Sequence, residues 1–193
     1  MKSDTGLSRA AMERFLNGKL VRLRPLENEA DRRALYEMWN DPASVGEHLA
    51  YDVCDWDGFC KFINNLEKAP NQPTFLLIVK NDGGEAVGFV QHFWPRPWRY
   101  MIEIGYELLP KYRGRGYASE GVRLLIDYLF SNRPLERIEA ITGAKNLPSQ
   151  RLLERLGFKL EGRTRKSFFV RGEYVDSLLY GLLREDWTSR PSS

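Results

Sequence analysis

From Ile102 to Phe130 the chain reads as a strand, a short glycine turn and a helix that starts at once. Glu103 and Glu107 are four apart on the strand and so share one of its faces. Gly114 and Gly116 flank Arg115, and a backbone without Cβ atoms can come close to a ligand. The helix behind them leaves its first amide N–H groups without partners of its own, which suits an anion such as a pyrophosphate. A cofactor that carries phosphates is therefore the first expectation.

The chain has 193 residues, enough for one domain and tight for two. Its net charge of +3 is too small to indicate nucleic acid or a membrane surface, yet it tolerates a polyanionic small molecule. Cys54 and Cys60 stand as C-x5-C, which matches no zinc spacing and reads as two free thiols in a reducing compartment. His48 and His92 have no Asp or Cys at ligand spacing, so no metal is expected. No apolar run approaches the roughly 20 residues of a membrane span, and Met1 to Ala10 has no apolar signal core. The expectation is a soluble, cytoplasmic protein.

Residues 1–18 read as a polar lead-in with a short helix over Ala10 to Leu16, and residues 188–193 as a loose tail. Between them, residues 19–187 read as one domain. Lys19 to Leu26 alternates like a strand and ends at Pro25. Helices are expected over Glu27 to Trp39 and Trp56 to Lys68, the second capped by Asp55. Thr74 to Lys80, Glu85 to Trp94 and Arg99 to Leu109 make an antiparallel meander, with Asn81-Asp82-Gly83-Gly84 as its first turn. A helix over Arg115 to Phe130 follows, with Gly121 beside its apolar stripe. Then come a strand over Leu135 to Thr142, a helix over Asn146 to Leu156 ended by Gly157, and a long hairpin from Phe158 to Leu183. The fold class is mixed α/β, with a mainly antiparallel central sheet flanked by helices.

Gly114 and Gly116 alone leave several readings open. No G-x-x-x-x-G-K-[ST] string exists, so a P-loop is out. A dinucleotide fingerprint starts well but has Ser119 at its third glycine, and Glu103 and Glu107 are foreign to a central parallel strand. Glu136 and Glu139 stand near the place of a ribose-binding acid. A plain glycine turn with surface arginines is the third reading.

The wider pattern resembles the GNAT superfamily of N-acetyltransferases. Lys111, Gly114 and Gly116 fill its [QR]-x-x-G-x-[GA] signature, with Lys111 in place of the usual Gln or Arg. Asn146-Leu147-Pro148-Ser149 followed by Leu152 to Phe158 is similar to the superfamily's second block. Leu23-Arg24-Pro25-Leu26, Trp39-Asn40-Asp41-Pro42, Glu161-Gly162-Arg163, Gly172 to Asp176 and Tyr180 to Trp187 are similar to its RimJ/RimL branch. The resemblance implies acetyl-CoA as co-substrate, with its pyrophosphate on backbone N–H groups of Arg113, Gly114, Arg115, Gly116, Tyr117 and Ala118. It implies that the edge beside Glu107, Leu108 and Leu109 pairs with the pantetheine arm after this strand splays from the next. A backbone N–H near Leu108 then polarises the thioester carbonyl, and Asn146 contacts the pantetheine.

Acyl transfer to an amine also needs a neutral amine and a partner for the departing thiolate. Many GNAT enzymes place a Tyr four residues before the Gly-Phe pair; here that position is Leu153. The resemblance puts Ser149 in that role, against the plainer reading of Ser149 as a helix N-cap. A lysine-like amine starts near a pKa of ~10.4 and must lose a proton, for which Glu103 and Glu107 are the expected bases. The acceptor is a protein N-terminal amine or a small-molecule amine, and the acyl group is acetyl or longer. A non-catalytic acyl-CoA-binding regulatory domain and a dinucleotide-binding protein are the alternatives. The loops Ala43 to Asp57 and Phe93 to Tyr100, with Phe93, Trp94, Trp98 and Tyr100, are where acceptor selection is expected. Arg163, Arg165, Lys166 and Arg171 form the densest basic group, read first as a solvated hairpin face and second as a site for an acidic acceptor or the CoA 3′-phosphate. The protein is expected as a monomer or homodimer, the long terminal hairpin offering an exposed edge.

Overall fold

The computed structural model describes residues 16–44, 54–68, 74–94 and 101–189. The helix expected over Ala10 to Leu16 lies almost wholly outside the described residues, as do His48, Trp98 and Tyr100. The elements are β1 (Val21–Pro25), α1 (Glu29–Trp39), α2 (Trp56–Lys68), β2 (Thr74–Lys80), β3 (Ala86–Phe93), β4 (Ile102–Leu108), α3 (Tyr117–Asn132), β5 (Arg137–Gly143), α4 (Leu147–Arg155), β6 (Lys159–Val170), β7 (Glu173–Leu183) and α5 (Arg184–Thr188). A single 3₁₀ turn, Pro110–Tyr112, joins β4 to the glycine turn.

The strands form one sheet in the order β1-β2-β3-β4-β5-β7-β6. Every neighbouring pair is antiparallel except β4 with β5. The unbroken apolar run of β2 has a direct cause: the strand is buried on both faces. Leu76 and Ile78 join the cluster under α3, while Phe75, Leu77 and Val79 join the cluster under α1 and α2. Leu35 and Met38 of α1 and Phe59 and Ile63 of α2 fill that second cluster. Gly121 lets α3 close on the sheet, since a Cβ there would stand 3.1 Å from Ile78 Cδ1.

Local signals in the chain explain the ends of these elements. Asn28 caps α1 by accepting from the Asp31 N–H at 3.0 Å, and Asp55 caps α2 by accepting from the Gly58 N–H at 2.7 Å. Arg171 and Gly172 both take positive φ, +51° and +80°, the geometry of a tight two-residue turn between β6 and β7. The helix expected from Arg115 begins at Tyr117 instead, because Gly116 is left-handed at its N-cap. That start is braced from β1: the Glu120 carboxylate accepts from the backbone N–H groups of Lys19 (2.8 Å), Leu20 (2.7 Å) and Val21 (2.8 Å).

Candidate active site

β4 and β5 pair only at Ile102↔Ile138 and Glu103↔Glu139, and beyond that point they separate. The edge of β4 from Ile104 to Leu108 thus faces no strand on that side. Successive N–H groups on a strand point to opposite edges. Leu109 donates its N–H to the Val87 carbonyl on β3 at 3.0 Å, so the N–H of Leu108 points into the opening. The opening leads into a cleft of about 1170 Å³. Tyr106, Glu107 and Leu108 line one wall, Asn146, Ser149 and Leu152 the other, and Gly114, Gly116, Ala118 and Ser119 one end.

Gly114 and Gly116 adopt φ of +77° and +85°, conformations that side chains rarely take, and nothing lies within 4 Å of a Cβ built on Gly114. The first bond of the α3 ladder runs from the Glu120 N–H to the Gly116 carbonyl at 3.0 Å. The N–H groups of Tyr117, Ala118 and Ser119 precede it and have no helical acceptor, which makes this end of the cleft attractive to an anion. The Arg113 N–H is spent on the Pro110 carbonyl at 3.2 Å. Its guanidinium turns away from the glycines and donates to the carbonyls of Leu108 (3.2 Å), Ala43 (3.3 Å) and Ser44 (3.0 Å).

On the opposite wall, Asn146 and not Ser149 caps α4: its Oδ1 accepts from the Ser149 N–H at 3.2 Å. The Ser149 hydroxyl is therefore free of capping and sits 2.8 Å from the Tyr106 hydroxyl across the opening. Leu153 is completely buried in the core, so the position where many GNAT enzymes carry a tyrosine is filled here by packing.

Glu103, Gly105 and Glu107 share the β4 face turned toward α1 and α2, while Ile104, Tyr106 and Leu108 face α3. Burial pushes the Glu107 carboxyl up to about 7; the Arg113 charge opposes this and Asp41 adds to it. One of its oxygens, Oε1, is buried without a hydrogen-bond partner among the described residues. Burial, with the neighbouring Glu139 charge, also raises Glu103 to about 7. Two carboxyls that titrate near neutrality on one strand face can exchange protons with a bound amine at physiological pH.

Of the residues expected at the site, Glu107, Leu108, Arg113, Gly114, Gly116, Ala118, Asn146 and Ser149 line the cleft. Glu103, Leu109, Arg115 and Tyr117 do not; Glu103 lies at the closed end of the separation, beside Glu139. Arg163 pairs with Asp176 at 2.6 Å on the terminal hairpin, and none of the basic group of residues 163–171 reaches the cleft. Its basic lining comes instead from Lys145, Arg151 and Arg155 beside Arg113. These, with Ser44 and Tyr106, were not singled out from the chain. Two signals were there to read: Arg151 and Arg155 are one helical turn apart, and Tyr106 stands between two glutamates. Among the described residues no group of three His, Cys, Asp or Glu could hold a metal, and no helix is long and apolar enough to cross a membrane.

A model of the acetyltransferase (GNAT) domain family matches residues 21–159. The chain belongs to the GNAT family. It is 33% identical to the uncharacterized N-acetyltransferase p20 of Bacillus licheniformis over 180 residues, which cover 91% of this chain and 99% of that one. It is 27% identical to the spermidine N(1)-acetyltransferase of Escherichia coli K12 over 158 residues, covering 82% of this chain and 83% of that one. The structure of RimL, a ribosomal L7/L12 alpha-N-protein acetyltransferase in complex with coenzyme A, superposes with a TM-score of 0.75. That match covers 86% of this chain and 95% of RimL at 20% identity, and carries the fold alone.

As a GNAT protein the chain is an acetyl-CoA-dependent N-acetyltransferase. The dinucleotide reading falls with the sheet: a doubly wound parallel sheet is required, and here a single parallel pair stands among antiparallel ones. The cleft fits the GNAT donor on two observations of this chain, the α3 amides without a helical acceptor behind two left-handed glycines and the open edge of β4.

Proposed function

We propose that this enzyme moves an acetyl group from acetyl-CoA to a primary amine by direct attack of the amine on the thioester, as a RimJ/RimL-like GNAT. The observation that carries the reading is the open β4 edge, with the Leu108 N–H on one side and the Ser149 hydroxyl on the other. The N–H groups of Gly114 to Ala118 hold the pyrophosphate, and the β4 edge with Asn146 holds the pantetheine as an added strand. The Leu108 N–H polarises the thioester carbonyl and stabilises the oxyanion that forms there.

Glu107, and Glu103 behind it, take one proton from the ammonium before attack and a second from nitrogen as the tetrahedral intermediate collapses, directly or through water that carries each on to solvent. Nitrogen then bonds to the carbonyl carbon, and the carbon–sulfur bond breaks with its electron pair on sulfur. The Ser149 hydroxyl hydrogen-bonds that sulfur as its charge develops. The acceptor is a small polyamine or a protein N-terminal amine; the spermidine acetyltransferase among the relatives supports the first of these classes. The test is thiol release from acetyl-CoA across spermidine, spermine, amino acids, aminoglycosides and N-terminal peptides. One amine class is expected to stand clearly above the rest, and a panel flat at the amine-free rate would overturn the proposal.

A further inference from the structure

We infer that Tyr106 is a positioning residue for the transfer step: its hydroxyl donates to Ser149 Oγ and so leaves the serine's own proton aimed into the cleft. The inference rests on the reading of Ser149 as the partner of the departing sulfur.

The geometry across the opening is specific. The Tyr106 hydroxyl lies 2.8 Å from Ser149 Oγ and 3.3 Å from the Ser149 carbonyl oxygen. A hydroxyl carries one proton and two lone pairs, so the direction of this bond decides what Ser149 can still do. If serine donated to tyrosine, nothing would remain to offer sulfur. With tyrosine as donor, Ser149 Oγ accepts on one side and donates on the other.

Three observations favour the tyrosine as donor. Among the described residues its acceptors are the two Ser149 oxygens, and the carbonyl belongs to the first turn of α4, where the helical N–H four residues on already uses it. The nearer oxygen, Oγ, is then the better acceptor. Burial holds the Tyr106 hydroxyl protonated, pushed up to about 12, with the Ser149 bond opposing this and Tyr180 adding to it. The serine is also fixed from below, since its N–H is held by Asn146 Oδ1 at 3.2 Å.

Neither hydroxyl gives its proton away. A thiol, ordinarily near a pKa of ~8.5, is a stronger acid than the tyrosine here, so the pair supplies a hydrogen bond to the forming thiolate and no net proton transfer. The two protons that nitrogen gives up leave through the carboxylates, and Tyr106 and Ser149 end the step as they began it. This arrangement substitutes for the tyrosine that Leu153 displaces, from a strand on the other side of the cleft.

The experiment compares Tyr106→Phe, Ser149→Ala and the double variant in thiol release from acetyl-CoA. Hydroxylamine serves as the nucleophile, because it needs no acceptor recognition. Ser149→Ala is expected to lower kcat about 10–100-fold, and Tyr106→Phe about 5–20-fold with the KM for acetyl-CoA within about twofold of wild type. In the Ser149→Ala background Tyr106→Phe is expected to cost nothing further, whereas a merely structural role would multiply through. Wild-type kcat in Tyr106→Phe, or a full loss that persists in the double variant, overturns the inference and leaves the Ser149 reading standing. Wild-type kcat in Ser149→Ala overturns that reading and the inference with it. Thiol release no faster than without enzyme overturns the transfer chemistry itself.

Discussion

Arg113 sits in the glycine turn, yet its guanidinium donates to the backbone carbonyl of Ser44, 69 residues earlier, at 3.0 Å. The same group holds the carbonyls of Ala43 and Leu108. One cation thus ties the glycine turn to the segment leaving α1, where acceptor selection is expected. Arg113→Ala removes these bonds but none of the turn's N–H groups. The expected cost is about 1–2 kcal/mol, a fall in Tm of about 2–6 °C, with the amine KM raised more than the acetyl-CoA Kd. Arg113→Lys should not restore either value, since a point-like ammonium cannot serve carbonyls spread over a planar fork. Thermal unfolding and titration calorimetry check both.

On the proposed mechanism the carboxyls of β4 set the pH dependence of activity. A base must be ionised to accept the amine proton, so kcat/KM should rise with pH through about 7, where Glu103 and Glu107 titrate. Glu103→Gln with Glu107→Gln should abolish that limb and lower kcat/KM by about 10²–10⁴. Of the single variants, Glu107→Gln should cost more, because Glu107 lines the cleft. A limb left unmoved in the double variant would rule both out.

Stability should run the other way. Both carboxyls have folded pKa values raised from 4.5 to about 7, so the folded chain holds protons that the unfolded chain releases. Their contribution is complete below about pH 4.5 and is lost as pH rises through 7. Without ligand, Tm should therefore fall between about pH 5 and pH 8, and the double Gln variant should flatten the fall. Asp31 acts oppositely. Burial tends to raise it, but the two-pronged Arg24 contact at 2.6 Å and the Glu27 N–H win and lower it. That contribution disappears only in acid, as pH falls below the ordinary Asp range. Calorimetric scans across pH separate the two.

Glu120 holds three successive amides of the chain entering β1. Glu120→Ala leaves them to water or to nothing, at a cost of about 2–4 kcal/mol, or about 5–15 °C in Tm. Gln keeps one accepting oxygen and should fall between. Leu20, one of the residues so held, packs 3.4 Å from where a Gly116 Cβ would be, so acetyl-CoA affinity should fall along with stability.

Gly88 is where β3 allows β4 to come close. A Cβ there would stand 2.1 Å from the Glu107 carbonyl oxygen, an atom of the backbone that cannot rotate aside. Gly88→Ala should displace β4 at the cleft, costing about 2–4 kcal/mol and most of the acetyl-CoA affinity. Retained binding with an unchanged Tm would contradict this.

The parts legible in the chain were those with a local cause. Asp55 before α2, Gly116 before α3, Gly157 after α4 and the doubly buried run of β2 all announce themselves within a few residues. The antiparallel meander follows from its turns. The partnership of Tyr106 with Ser149 spans 43 residues, and that of Arg113 with Ser44 spans 69; no spacing rule connects them. Tyr106 reads as one more aromatic on a strand until the sheet opens beside it. The basic group near residue 165 was prominent by density, but a tight turn carries it along a hairpin away from the cleft, while Arg151 and Arg155 reach the cleft from a short helix.

The parting of β4 from β5 has a mechanical side. Two residue pairs are all that join the strands β1 to β4 to the strands β5 to β7 across the sheet, so the seam between these halves relies on α3 and the core beneath it. Amide hydrogen exchange should be fastest on this edge of β4, at Ile104, Tyr106 and Leu108, and slow in β2, which has a strand on either side. A molecule bound along the seam replaces the missing rungs and fastens one half to the other. On the proposed binding mode the donor substrate is also a structural splice, in place until CoA itself leaves.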